Sequence, residues 1–97
     1  MTTSYSVDQL RGQFDWTAGV SYTQSVDGNG VLQQERWYWK ASSLNVMTID
    51  WTYNVDGSIA TARKKAYDAD GTTVISQLLM TWSYAGNVAS WDCTREI

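Results

Sequence analysis

Few residues of this chain have the chemistry for catalysis, because the 97-residue sequence contains no histidine. The commonest general base and metal ligand is therefore missing, and so is every Ser–His or Cys–His nucleophile pair. The remaining candidates are one carboxylate, Glu35, and two cations, Lys64 and Arg95, which strand alternation turns toward the same aromatic-walled space. Removing such charges from water is costly unless they are paired.

Two interpretations of these three charged residues stay open. In the first, Lys64 and Arg95 lie near an open rim, reach water with their charged ends and use Glu35 as a salt-bridge partner. In the second, the two cations hold an anionic or carbonyl group while Glu35 acts as an acceptor or general base. If the protein is an enzyme, the predicted working residues are Glu35, Lys64, Arg95 and Tyr53.

The stretch Ser25–Arg36, SVDGNGVLQQER, has the composition of a calcium-binding loop. With Gly30 at the sixth position of an EF-hand loop, Asp27 takes the third. Arg36, a cation, then occupies the twelfth position, where the loop needs a glutamate. The flanking residues also alternate as strands do. The stretch therefore predicts a hairpin turn, and neither a metal site nor a cofactor is predicted for the chain.

Most of the sequence alternates with a period of two residues, which is typical of strands with one apolar and one polar side. In the clearest example, Ile49, Trp51 and Tyr53 alternate with small polar residues. Turn signals interrupt the alternation at residues 27–30, 56–57, 68–71 and 85–87. The sequence therefore predicts an all-β single domain over residues 1–97, with six strands in an antiparallel meander.

Turn chemistry also predicts how the strands align. We assign a four-residue loop at 27–30, two-residue turns at 56–57 and 85–86, and a type I turn with Gly71 in a left-handed bulge. All of these registers send the apolar set to one side of the sheet. The predicted pairs are Tyr22 with Glu35, Trp51 with Ala62, Ala62 with Leu78, Leu78 with Cys93, Lys64 with Ser76, and Ser76 with Arg95.

Six twisted strands with one apolar face do not suit an open layer in water, because that face stays wet. The sequence predicts that the sheet curls into a small barrel, lipocalin-like in style. A capping box from Ser6 to Gln9 predicts a short helix at Val7–Arg11, which would close one end of the barrel. The alternative is an open sheet that packs on a second copy as a sandwich-like homodimer.

Charge and hydropathy exclude two classes of partner. Seven Lys and Arg residues against ten Asp and Glu give a formal net charge of −3, without the basic footprint of a nucleic-acid binder. No apolar stretch approaches the roughly 20 residues of a membrane span, and no signal peptide is recognisable. Cys93, the single cysteine, excludes an intrachain disulfide and slightly favours a cytoplasmic location, which the sequence otherwise leaves unknown.

Aromatic residues are frequent, with six Trp and six Tyr. Core packing explains most of them, yet flat indoles at a barrel mouth also suit a planar, aromatic or sugar-like ligand. The residues predicted to contact a ligand all share the inward side of their strands. They are Tyr22, Glu35, Trp37, Trp39, Trp51, Tyr53, Lys64, Ser76, Trp82, Trp91 and Arg95.

Three functions are compatible with these features. The first is a small non-enzymatic β-barrel module that binds a hydrophobic or aromatic ligand in a Trp/Tyr-lined interior. The second is a metal-independent cyclase or isomerase that uses the inward Glu, Lys and Arg residues. The third is an acidic protein-interaction or inhibitor module. A homodimer contact is predicted through an apolar patch on the polar side, formed by Ile59, Tyr67, Ile75 and Leu79.

Two short segments resemble known families. The segments YNVDG (53–57) and YDADG (67–71) resemble the YD repeats of large bacterial RHS-type proteins. The segment GQFDW (12–16), after the predicted helix, is similar to the opening of lipocalin-like barrels, with Phe14 where that family has Trp. The first resemblance covers under half of the chain, and the second family has about eight strands rather than six, so neither assigns a function.

Overall fold

The computed structural model describes residues 19–97, which form one antiparallel sheet of six strands in sequential order. The prediction of an all-β, six-stranded antiparallel meander is confirmed. No pairing of β1 with β6 closes the sheet, so the predicted barrel is not confirmed. The predicted helix at Val7–Arg11 lies outside the described residues. The strands are β1 (Val20–Val26), β2 (Leu32–Trp39), β3 (Asn45–Tyr53), β4 (Ile59–Tyr67), β5 (Val74–Ala85) and β6 (Val88–Arg95).

Three hairpins in this part of the chain close with the same kind of turn. In each, a glycine amide donates a hydrogen bond to the carbonyl oxygen three residues earlier. The glycine has a positive φ, which is 81° at Gly30, 91° at Gly57 and 73° at Gly71. A glycine adopts this left-handed conformation without the steric cost that a Cβ would bring. The DGNG stretch is therefore a hairpin turn, as predicted.

The predicted register is confirmed along most of the β3–β4 hairpin, where Trp51 pairs with Ala62. The two-residue turn predicted at 56–57 is wrong, because the turn spans residues 54–57 and a bulge lies between Thr52 and Tyr53. In the other three hairpins the predicted register is wrong by two residues. The last turn is formed by Gly86 and Asn87, one residue later than predicted, because Ala85 pairs with Val88. A slip of two residues keeps each side chain on its predicted face, since strand residues alternate. The observed pairs that replace the predicted ones are Tyr22 with Trp37, Ala62 with Met80, and Met80 with Cys93.

Little of the described sheet is enclosed. Ala62 is its buried hydrophobic residue, with 0% of its surface exposed, and Thr48 is its buried polar residue, at 4%. Ala62 lies on the side that we call the aromatic face. Thr48 lies on the opposite side, the polar face, where its hydroxyl is 3.0 Å from that of Tyr67. The aromatic face is the side of the sheet that carries Tyr22, Trp37, Trp51, Trp82 and Trp91.

Aspartates hold the hairpin turns in shape. The carboxylate of Asp70 accepts hydrogen bonds from the backbone amides of Thr72 and Thr73, at 2.9 and 2.8 Å. Together with the Thr73 hydroxyl, these donors lower the pKa of Asp70 to about 2. Asp56 accepts in the same way from the hydroxyl and amide of Ser58, and its pKa is also lowered. The ionised carboxylates thus accept hydrogen bonds from backbone amides that have no backbone acceptor in the turns.

Gly71 lies at the contact between two loops that are distant in sequence. It is buried, and a Cβ placed on it would lie 2.7 Å from Leu44 Cβ and 3.0 Å from the backbone nitrogen of Asn45. The β4–β5 turn therefore packs directly against the β2–β3 loop. Both the positive φ and this close approach require glycine at the position.

We expect Gly71→Ala to destabilise the protein by about 2–4 kcal/mol, because the strain of a left-handed φ adds to the overlap with Leu44. Gly57→Ala is the matched control. Its φ is 91° but no atom lies within 4 Å of the added carbon, so a cost of about 1–2 kcal/mol is expected from φ alone. Urea denaturation of the three proteins measures both changes. Equal losses in the two variants would contradict the packing of the two loops.

Candidate functional site

A row of side chains crosses the aromatic face at the level of Glu35; it is polar on β1 and β2 and alternates between apolar and polar from β3 to β6. Neighbouring strands lie about 4.8 Å apart, so the charged residues of this row, on alternate strands, are roughly 10 Å apart at their Cα atoms. The three charged residues singled out by sequence do share one face. The cross-strand pairs of the row are Gln24 with Glu35, Glu35 with Ile49, Ile49 with Lys64, Lys64 with Leu78, and Leu78 with Arg95.

Two predicted neighbours in this row are wrong. Leu78, rather than Ser76, lies between Lys64 and Arg95. Ser76 pairs with Ala66 instead and lies one row away. Within residues 19–97, Arg63 and Glu96 form an ion pair, but Glu35, Lys64 and Arg95 do not. The predicted salt bridge from Glu35 to Lys64 or Arg95 is therefore not formed, because Ile49 and Leu78 separate the charges.

Glu35 is bound by two neutral donors. The hydroxyl of Tyr22 donates to Oε2 at 2.5 Å, and the indole nitrogen of Trp51 donates to Oε1 at 2.8 Å. Gln24 donates in turn to the Tyr22 oxygen at 2.9 Å. Both donors lie diagonally across from Glu35 on the neighbouring strands, a distance that long side chains can bridge. The half-buried carboxylate is thus held in place without a cation among the described residues.

A line of indoles continues from Trp51 toward the far edge of the sheet. The ring centroids of Trp51 and Trp82 are 5.9 Å apart, and those of Trp82 and Trp91 are 6.4 Å apart. These separations lie in the range of favourable aromatic pairs. The intervening strand β4 contributes Ala62 between Trp51 and Met80. This small side chain leaves the rings of β3 and β5 free to meet above it.

A second ring pair lies on the other side of Glu35. The rings of Tyr22 and Trp37 are 4.8 Å apart and tilted by 51°. This pair is directly opposed across β1 and β2. Glu35 therefore lies between two ring pairs, one on each side, and the line from Tyr22 to Trp91 reaches both edge strands.

Two further residues from the predicted ligand set have other surroundings. The hydroxyl of Tyr53 donates to the carbonyl oxygen of Leu32 at 2.6 Å, which ties β3 to the start of β2. Trp39 lies at the end of β2, where its ring covers Gly19, and it is 38% exposed. Neither residue takes part in the ring contacts around Glu35.

The predicted contact patch lies on β4 and β5. Ile75 is 55% exposed, while Ile59, Tyr67 and Leu79 are half-buried. Tyr67 is tied to Thr48 through its hydroxyl, and Leu79 lies opposite Arg63. The role of the patch as a dimer contact stays a prediction.

The sequence placed Glu35 beside Trp51 but did not predict the hydrogen bonds that join them to Tyr22. A signal was available. The half-buried indole N–H of Trp51 needs a polar partner, and Glu35 is the carboxylate that the sequence assigns to the same face. Gln24, which binds the Tyr22 hydroxyl, was not among the predicted ligand contacts.

Within residues 19–97, no three His, Cys, Asp or Glu side chains lie close enough to share a metal ion. The same residues include no helix with the length and hydropathy to cross a membrane. Comparison with protein-family models, curated proteins and solved structures found no match. The function is therefore inferred from the geometry of the aromatic face.

We expect the Tyr22 phenol to titrate above its ordinary value of 10.0, because the hydrogen bond to Glu35 raises its pKa. The carboxylate stabilises the protonated phenol and repels the phenolate. This contribution to stability is present below pH 10 and is lost as the pH rises through the folded-state pKa. In Glu35→Gln the Tyr22 pKa should fall back toward 10. Titration by NMR of ring-labelled tyrosine measures it, and an unchanged value in Glu35→Gln would contradict the bond.

Proposed function

We propose that the chain is a non-enzymatic binding module that holds a hydrophobic or aromatic ligand against its aromatic face. The observation that carries this proposal is the line of indoles Trp51, Trp82 and Trp91 on an open sheet, with Trp91 57% exposed. Soluble proteins rarely leave large contiguous apolar patches without a function. Rings spaced in this way offer a flat ligand several stacking positions.

The proposal does not depend on closure of the sheet. A barrel would need β1 and β6 to pair, and it would then enclose the aromatic face as the predicted interior. In the open sheet the same residues form a continuous surface from one edge strand to the other. On this surface the two ring pairs lie on either side of Glu35, and both are open to a ligand.

The alternative of a cyclase or isomerase has less support in the geometry. Both oxygens of Glu35 already accept hydrogen bonds, from Tyr22 and Trp51. Lys64 and Arg95 are two and four strands away from it. The Tyr53 hydroxyl is bonded to a backbone carbonyl. These four groups, all among the described residues, therefore do not surround one position that a substrate could occupy. The rings of the aromatic face, in contrast, form one surface.

The alternative of an acidic interaction or inhibitor module rests on the net charge of −3. Carboxylates on the described strands and turns are spread over both faces and the hairpin tips. Several of them serve the structure itself, as Asp56, Asp70 and Glu96 do through their hydrogen bonds. We therefore rank this function below ligand binding.

Tryptophan fluorescence tests the proposal directly. We expect neutral ring compounds such as indole or benzyl alcohol to shift or quench the emission saturably. Trp82→Leu should weaken their binding about three- to tenfold, because it removes the ring that contacts both neighbours in the line. Trp39→Leu is the matched control, since Trp39 lies outside the line, and it should bind as the wild type does. Equal effects of the two variants, or no saturable binding, would contradict the proposal.

The second candidate is a homodimer that packs aromatic face on aromatic face. Large side chains of the aromatic face remain exposed on the single sheet, among them Tyr22 at 42% and Trp91 at 57%. A second sheet is one of the ways in which a single layer can cover its apolar side.

Light scattering over a range of protein concentrations tests the dimer. If this second candidate holds, the wild type is a stable dimer, and Trp91→Lys converts it to monomer because a charge would then lie in the interface. Ile75→Lys places the same charge on the predicted patch of the polar face and should leave that dimer intact. A dimer broken only by Ile75→Lys would move the contact to Ile59, Tyr67, Ile75 and Leu79. A monomeric wild type would rule out both contacts.

A further inference from the structure

We infer that the ligand of the aromatic face carries a positive charge and that Glu35 binds the charged group. This inference rests on the proposed function and specifies the class of ligand. An organic ammonium ion with an apolar substituent has the matching chemistry. Its cationic group would lie over Glu35 and its apolar part on Trp51 and Trp82.

The first observation is that the partners of Glu35 are neutral. Tyr22 and Trp51 donate to its two oxygens, and neither neutralises the charge. Within residues 19–97, no Lys or Arg nitrogen lies within 4.0 Å of its oxygens. The hydrogen bond to Glu35 raises the pKa of the Tyr22 phenol, which is protonated at neutral pH in any case and so acts as a donor. A half-buried negative charge is therefore available on the face.

The second observation is the arrangement of rings around that charge. One ring pair, Tyr22 with Trp37, is tilted by 51°, and the other, Trp51 with Trp82, by 38°. The faces of aromatic rings carry partial negative charge and attract cations within about 6 Å. Tyr22 and Trp51 direct their O–H and N–H edges, which are positively polarised, at Glu35. The preference for a cation therefore rests on the carboxylate, and the ring faces add to it for the part of the ligand that stacks on them.

The cations of the same row set the orientation of the ligand. Lys64 lies beyond Ile49 and Arg95 lies beyond Leu78, so both are on the β4–β6 side of Glu35. They repel a cationic group at that end and leave the β1–β3 end as its favourable position. The face is therefore negative at one end and positive at the other.

The probes are benzyltrimethylammonium, neutral benzyl alcohol and anionic benzenesulfonate, titrated at pH 7 and low salt with tryptophan fluorescence as the signal. We expect the cation to bind at least about tenfold more tightly than benzyl alcohol, and 0.5 M NaCl to reduce this preference. Glu35→Gln should lower the affinity for the cation about tenfold while leaving that for benzyl alcohol within about twofold.

Asp92→Asn is the matched control for net charge. Asp92 pairs with Thr81 on the polar face, so its loss changes the total charge equally but should not change cation binding. Lys64→Gln is a second test, which does not alter the bonds of Glu35 and remains informative if Glu35→Gln fails to fold. It removes a repelling charge and should tighten cation binding about twofold or more.

The possible failures are distinguishable. Equal affinity for the cation and benzyl alcohol, or a Glu35→Gln variant that binds the cation like the wild type, would overturn the inference and leave the proposed function standing. Preference for benzenesulfonate would overturn it too, and would assign the charged group to Lys64 and Arg95. If none of the three probes binds saturably, the proposed function and this inference both fail.

Discussion

The left-handed glycines at the hairpin turns determine which side chains become neighbours on the sheet. Gly30, Gly57 and Gly71 each end a turn with a positive φ, and each turn sets the alignment of the two strands that it joins. In the first hairpin, this alignment places Glu35 opposite Gln24. The Tyr22 hydroxyl then reaches the carboxylate diagonally. A turn with one residue fewer would move Glu35 to the opposite face.

Because little of the sheet is enclosed, backbone ladders and cross-strand pairs hold it together. On the polar face these pairs satisfy one another, as Arg63 does with Glu96 and Thr52 with Thr61. On the aromatic face the contacts are mainly between rings, and apolar area remains exposed. The polar face is therefore satisfied by its own side chains, whereas the aromatic face keeps apolar area in contact with water. A ligand and a second copy of the sheet would compete for the same surface, since both would cover those rings.

Alternation in the sequence was enough to predict the six strands and the composition of each face, because a slip of two residues does not change which side a residue faces. It was not enough to predict lateral neighbours. Ser76 was expected beside Lys64, where Leu78 lies. The DGNG segment contains two glycines, and the sequence does not show which adopts the left-handed φ and so sets the loop length. Closure of the sheet depends on β1 and β6, which no turn joins.

Glu35 places a negative charge among neutral partners on the aromatic face. A half-buried carboxylate loses hydration, but its two oxygens accept from two donors, whereas a glutamine has a single acceptor oxygen and an amide group that would face one of the donors. Neutral donors offset part of that loss but leave the charge itself uncompensated. The cations of the same face lie two and four strands away. Their separation creates an electrostatic gradient along the row, so that a charged ligand would be oriented by the same groups that attract it.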